Sequence, residues 1–228
     1  MIIGNGLLAN SLKDIDRNDV VFFCSGVSNS GETAPAAFQR ELALLKTQDT
    51  HKLLCYFSTV SIFNPSKKNT PYIQHKCSLE AQIQEQFPNH IILRLPNMMG
   101  EGGNGSNLFP YFLKNVAEGK TVSIFDNTHR ELMEVQLLPD IINALIAANF
   151  RGSINAGFGD APKVKDIYLH ICSLLDAEPS MKIEKGEDAY EVDYSVFNTL
   201  MEKAGVAPAG SWQDRVERYV NLYRSQFV

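Results

Sequence analysis

The sequence predicts an α/β fold: one parallel sheet with crossover helices, followed by a smaller, mostly helical lobe. Three observations predict it. The first half alternates short, β-rich apolar runs such as VVFF and LLCYF with longer helical stretches. A glycine-containing turn, GNGLLA, follows the first apolar run directly. Beyond Gly100 the alternation loosens and helical patterns dominate.

In chain order, Met1 to Ile3 reads as a first short strand and the stretch after Gly6 as a short helix. Val20 to Cys24, Leu53 to Ser58 and Ile91 to Leu95 are short, β-rich, mostly apolar runs, read as strands of a parallel sheet. Helices over Ala34 to Lys46 and Tyr72 to Gln86 connect them. In the second half the reading is a helix over Leu108 to Ala117, a strand over Val122 to Phe125 and a helix over Pro139 to Asn149. A strand at Ser153 to Asn155 and helices over Val164 to Leu175, Ser195 to Ala204 and Trp212 to Ser225 complete it. No linker is long or polar enough to force a boundary, so residues 1–228 read as one domain, with a sheet over 1–100 and a lobe over 101–228.

Composition excludes several function classes. At 228 residues with a net charge of −5 and no basic cluster, the chain is large enough for a real core and unsuited to non-specific nucleic-acid binding. No apolar run approaches membrane-spanning length, and the start MIIGNG has no basic segment or cleavage signal, so a soluble, cytoplasmic protein is expected. Cys24, Cys55, Cys77 and Cys172 lack the paired spacing of a zinc or redox motif, and the five histidines are scattered, so no metal site is expected.

The chemistry-bearing residues sit at strand ends. In GNGLLA, Gly4, Gly6 and Ala9 fit the pattern in which backbone N–H groups approach a pyrophosphate and a small third residue lets helix and strand pack closely; Asn5, Leu7 and Leu8 belong to the same turn. A second match, GEGGNG from Gly100, carries too many glycines to open a helix promptly and reads as a loop. The acid expected about twenty positions after the turn, to bond an adenosine ribose, is absent. Cys24, Ser25 and Gly26 stand there, with neither an acid nor an Arg for a 2′-phosphate. In YFSTVSIF, Ser58 and Thr59 end a strand, where a hydroxyl can orient a substrate oxygen.

Tyr72 and Lys76, one turn apart in YIQHK, share a helix face. A free Tyr, with pKa about 10, needs roughly 4 kcal/mol of phenolate stabilisation to reach about 7, and a neighbouring cation is a source of it. Asn97 in RLPNMMG and Arg130 in HRELMEV are suitable donors for a diphosphate.

Collinear in this order, the stretches resemble the extended short-chain dehydrogenase/reductase family, in its NAD-dependent epimerase/dehydratase branch acting on nucleotide sugars. The resemblance implies a Rossmann-like sheet and NAD or NADP as cofactor, held by Gly4 to Ala9, Ser25, Gly26, Tyr72 and Lys76. It implies Tyr72 as catalytic acid/base, Lys76 lowering its pKa and holding the nicotinamide ribose, and Thr59 polarising the reacting oxygen, with Ser61 as fallback. Asn97 and Arg130 would contact the sugar's nucleotide diphosphate. The implied chemistry is hydride transfer on a nucleotide sugar, in a polysaccharide pathway, by a protein whose Tyr72 helix pair is suited to forming a homodimer.

Three departures stand against the family pattern. VVFFCSG resembles the family's fourth strand yet follows the glycine turn almost at once, so two βα units that wall the adenosine are missing. The acidic pair of the dehydratases is replaced by Val60 and Ser61, which leaves epimerisation or reduction. Glu134 and Gln136 stand where the family has an aromatic or His and then an Asp. The alternative reading is a member without redox activity that binds a nucleotide sugar or a protein partner.

Overall fold

The computed structural model describes residues 1–101, 107–185 and 189–227. A five-stranded sheet forms the centre, in the order β1 (Ile2–Ile3), β2 (Val20–Phe23), β3 (Leu53–Thr59), β4 (His90–Leu95) and β8 (Gly152–Asn155). Every neighbouring pair in it is parallel. The crossovers run through α1 (Leu7–Ser11), α2 (Pro35–Lys46) and α3 (Pro71–Gln86).

Strand periodicity divides the core in two. Val20, Phe22, Cys55, Phe57, Ile91 and Leu93 face one layer, which is closed by α5 (Leu138–Ala147) and α7 (Ser195–Ala204) through Ile141, Ile142, Leu145, Phe197 and Met201. The alternate residues Val21, Phe23, Leu54, Tyr56 and Ile92 face α2 and α3, against Leu45, Leu79 and Ile83. Both faces are covered, which is why these strands read as mostly apolar runs. α2 and α3 each open with Pro in the first turn, where its missing N–H costs nothing, and the Thr70 side chain caps α3.

A separate core gathers in the lobe. There α4 (Leu108–Ala117), β6 (Val122–Phe125), α6 (Val164–Leu174) and α8 (Trp212–Phe227) pack around Phe112, Ile124, Ile167, Tyr168 and Val216. Two small parallel pairs complete it: β5 (Asn97–Met99) with β7 (Leu132–Glu134), and β6 with β9 (Met181–Glu184). The division at residue 100 therefore needs refinement. The second half returns β8, α5 and α7 to the central sheet, because β4 would otherwise be an edge and one sheet face would lack a cover.

β1 ends the sheet on its other side among the described residues, and all the remaining strands lie on one side of it. This is the arrangement expected if two βα units are absent. Leu93, fully buried on β4 between β3 and β8, tests the packing. Leu93→Ala is expected to lower the unfolding free energy by about 2–5 kcal/mol in urea titrations.

Candidate functional site

A cleft of about 490 Å³ opens over the C-terminal ends of β1 to β4. It gathers Gly4, Asn5, Gly6, Leu7, Leu8, Ser25, Gly26, Thr59, Ser61, Tyr72, Lys76, Asn97 and Arg130. Of the residues expected to bind cofactor or substrate or to act in catalysis, Ala9 alone does not line it. Ala9 is 3% exposed, turned into the interior where α1 packs, so its part is to permit close packing and not to touch a ligand.

Gly4 has φ +123°, and a Cβ there would stand 2.9 Å from the Cys24 carbonyl, so the turn presses directly on the end of β2. A Cβ on Gly6 would meet no atom of the described residues within 4 Å, which leaves the turn's backbone open to the cleft. The second glycine stretch behaves differently. The Gly100 carbonyl accepts hydrogen bonds from Tyr219 (3.2 Å) and Tyr223 (2.7 Å) in the lobe, and Gly102 to Gly105 lie outside the described residues.

Beneath the cleft lies a fully buried carboxylate, Glu41 on α2. Its Oε1 accepts from Lys76 Nζ (3.1 Å) and from the Tyr56 hydroxyl (3.0 Å). Its Oε2 accepts from the Val27 amide (2.7 Å) and lies 3.0 Å from His75 Nε2. Lys76 Nζ also donates to the Tyr56 hydroxyl at 3.0 Å. Gly26 covers the cluster, since a Cβ there would stand 2.9 Å from Glu41 Oε1 and 3.0 Å from Lys76 Nζ. Burial alone would raise the Glu41 carboxyl, but the His75 hydrogen bond, the Lys76 charge and the Val27 amide outweigh it and hold the group down to about 2. The two ends of the ion pair differ, because Lys76 is lowered as well: complete burial costs the ammonium more than Glu41 returns. The carboxylate's direction is the firmer of the two, since four donors converge on it.

This cluster also acts on the Tyr72 phenol. Burial, and then the Glu41 charge, push the Tyr72 phenol up to about 12, against a hydrogen bond with Thr59 that lowers it. Lys76 Nζ lies 6.0 Å from the Tyr72 ring centre, and its charge is answered by Glu41, so in this state it does not bring the phenol toward neutrality. Sequence reasoning missed Glu41 although a signal existed. Glu41 and Leu45, one turn apart, form the buried stripe of α2, and a carboxylate on such a stripe requires buried partners.

The hydroxyl end of β3 is also tied down. Thr59 Oγ1 accepts from the Ser61 amide (3.1 Å), and Ser58 donates to Glu80, which takes a two-pronged bond from Arg94. Ser58 thus serves the scaffold, leaving Thr59 beside Tyr72. Toward the lobe, Asn97 Nδ2 reaches the Glu131 carbonyl at 3.4 Å, and the Arg130 guanidinium stands 5.4 Å from the Tyr190 ring centre. Glu134, unexpected beside the family pattern, holds Arg218 of α8 through two bonds of 3.0 and 2.9 Å and does not line the cleft.

Two further cations that sequence reasoning missed, Arg40 and Lys67, line the cleft with Lys76 and Arg130. Among the described residues no Asp or Glu lines it, in a chain with 26 acidic and 21 basic residues. Burial pushes the Cys24 and Cys55 thiols up to about 12, which makes both poor nucleophiles at neutral pH. Among the described residues no His, Cys, Asp and Glu are grouped to hold a metal ion, and no helix is long and apolar enough to cross a membrane.

The profile of the NAD dependent epimerase/dehydratase family matches residues 11–156. Among curated proteins no match is found. Solved structures are similar in fold. With a dTDP-glucose 4,6-dehydratase from Bacillus anthracis in complex with NAD, identity is 17% and the TM-score 0.71, over 98% of this chain and 79% of that one. With a UDP-N-acetylglucosamine 4-epimerase from Methanobrevibacter ruminantium in complex with UDP-N-acetylmuramic acid, the values are 17% and 0.67, over 98% and 83%. With RMD from Pseudomonas aeruginosa complexed with NADPH they are 16% and 0.69, over 98% and 88%.

The Glu41 cluster sets a pH dependence. A carboxyl whose folded value is about 2 against an ordinary 4.5 contributes stability that is full above about pH 4.5 and is lost as pH falls toward 2. Glu41→Gln removes that contribution. Urea unfolding at a series of pH values is expected to show the variant about 3 kcal/mol less stable near pH 7, with the difference about halved by pH 3. A constant difference across that range would contradict the assignment.

Proposed function

The chain belongs to the NAD dependent epimerase/dehydratase family, and from that premise we propose that it binds NAD or NADP in the cleft and transfers a hydride to or from a nucleotide sugar, as an epimerase or reductase. The observation that carries the reading is the convergence of Tyr72, Thr59 and Lys76 with the Gly4–Gly6 turn in one cleft, which no carboxylate of the described residues lines. A nicotinamide dinucleotide fits these residues at Gly6, whose open backbone suits a diphosphate, and in the cationic lining. When bound, the nicotinamide supplies the hydride acceptor and donor.

The chain's own residues handle the proton and the orientation. Ser25 and Gly26 are the backbone surface beside the turn, and Lys76 is the buried cation beneath it. Thr59 orients the sugar oxygen toward Tyr72. With its phenol pushed up to about 12, Tyr72 keeps its proton at neutral pH and begins as an acid. As the site stands, it favours giving a proton to the oxygen of a keto sugar, the direction of reduction. Taking a proton requires that the phenol first be lowered by charge brought in with the ligands. Asn97 and Arg130, on the lobe side, are placed to meet the nucleotide diphosphate. In this reading the central sheet carries the cofactor and the lobe carries the sugar nucleotide.

A second reading has its own observation. With β1 at the edge of the sheet, no further strand of the described residues lies beyond it to wall an adenosine, as expected of a member that has lost redox activity and binds only a nucleotide sugar.

Calorimetry with NADH and NADPH separates the two readings: micromolar or tighter binding supports the enzyme, and no binding by folded protein supports the second. Against a panel of nucleotide sugars, Tyr72→Phe is expected to lose hydride transfer by about 10²–10⁴-fold while keeping cofactor affinity. Unchanged turnover would remove Tyr72 from the acid/base role.

A further inference from the structure

Resting on the nucleotide-binding reading above, we propose that Arg40 clamps a phosphate of the dinucleotide at the glycine turn, supplying by charge the hold that the missing strands supply by packing. The guanidinium reaches across from α2 to the loop after β2, where Nη1 lies 3.3 Å from Ser25 Oγ and Nη2 lies 3.2 Å from the Ser25 carbonyl oxygen. That loop abuts the turn, since a Cβ on Gly4 would stand 3.0 Å from the Ser25 amide. Arg40 is thereby fixed within a residue of the backbone that faces a diphosphate, at the strand end where the sequence offers no Arg.

Three features make a phosphate the partner that fits. Both Ser25 contacts are long and neutral, and a guanidinium carries five donors in a fork that matches phosphate oxygens. Among the described residues no carboxylate lines the cleft to compete for it. The neighbouring acid, Glu41, is buried beneath Gly26 and already answered by Lys76 and His75. The need for such a cation also follows from the fold. α1 spans only Leu7–Ser11, too short for its dipole to hold an anion, and β1 is the sheet's edge. A phosphate here has two sources, the bridging diphosphate common to both cofactors or the 2′-phosphate of NADP.

The test is calorimetry of the wild type, Arg40→Ala and Arg40→Lys with NADH and with NADPH at fixed ionic strength, after thermal melts confirm folding; Arg40 is exposed, and a near-native melt is expected. Arg40→Ala is expected to weaken binding by about ten- to hundredfold, with Arg40→Lys in between. Loss for both cofactors alike assigns Arg40 to the diphosphate, and loss for NADPH alone assigns it to the 2′-phosphate. Wild-type affinity of Arg40→Ala for both overturns the clamp and leaves the cofactor reading standing. A wild type that binds neither overturns the cofactor reading, and the clamp with it.

Discussion

A single buried carboxylate organises the cleft. Glu41 is wholly removed from water, which would be prohibitive for a lone charge, and the chain answers with donors from three directions. Val27 comes from the loop after β2, Tyr56 from β3, and His75 with Lys76 from α3. These contacts fix how α2 and α3 sit over the sheet. They also dictate glycine at 26, because a side chain there would strike the carboxylate and the ammonium. An ion pair so deeply buried adds little net stability, but removing one partner leaves a naked charge. Its contribution is position: it aims Lys76, and its charge adds to the burial that pushes the Tyr72 phenol up.

The second constraint is the sheet's extent. In an open α/β sheet a ligand crevice forms where the strand order reverses. Here every strand lies on one side of β1, so no reversal exists among the described residues. The cleft is built instead from the C-terminal ends of β1 to β4 on one side and from the lobe on the other. Within the lobe, Tyr219 and Tyr223 hold the Gly100 carbonyl after β5, and Arg218 holds Glu134 of β7, so α8 fixes the end of the segment that leaves the sheet.

The fold was legible in the sequence where periodicity is local and strong. Leu108–Ala117, Val122–Phe125 and Ser195–Ala204 form over the expected residues, and the buried strands announce themselves as short, mostly apolar runs. β5, β7 and β9 were not legible. They are three or four residues long and owe their form to partners far along the chain, as in Asn97 with Leu132 and Met181 with Val122. In the site, turn, hydroxyl and Tyr–Lys pair were readable because each has a spacing. Glu41 and Arg40 have none relative to their partners. Glu41 is separated from Tyr56 by 15 residues and from Lys76 by 35, and Arg40 from Ser25 by 15, so only folding reveals the pairs.

The central claim is that a cofactor is held here by its nicotinamide and phosphate ends, with the adenosine end uncovered past β1. Saturation-transfer NMR on NADPH in the presence of the protein tests it directly. The account predicts strong transfer to the nicotinamide and its ribose protons and weak transfer to the adenine protons. Adenine saturation equal to or stronger than that of the nicotinamide, or no transfer to either ring, would contradict it.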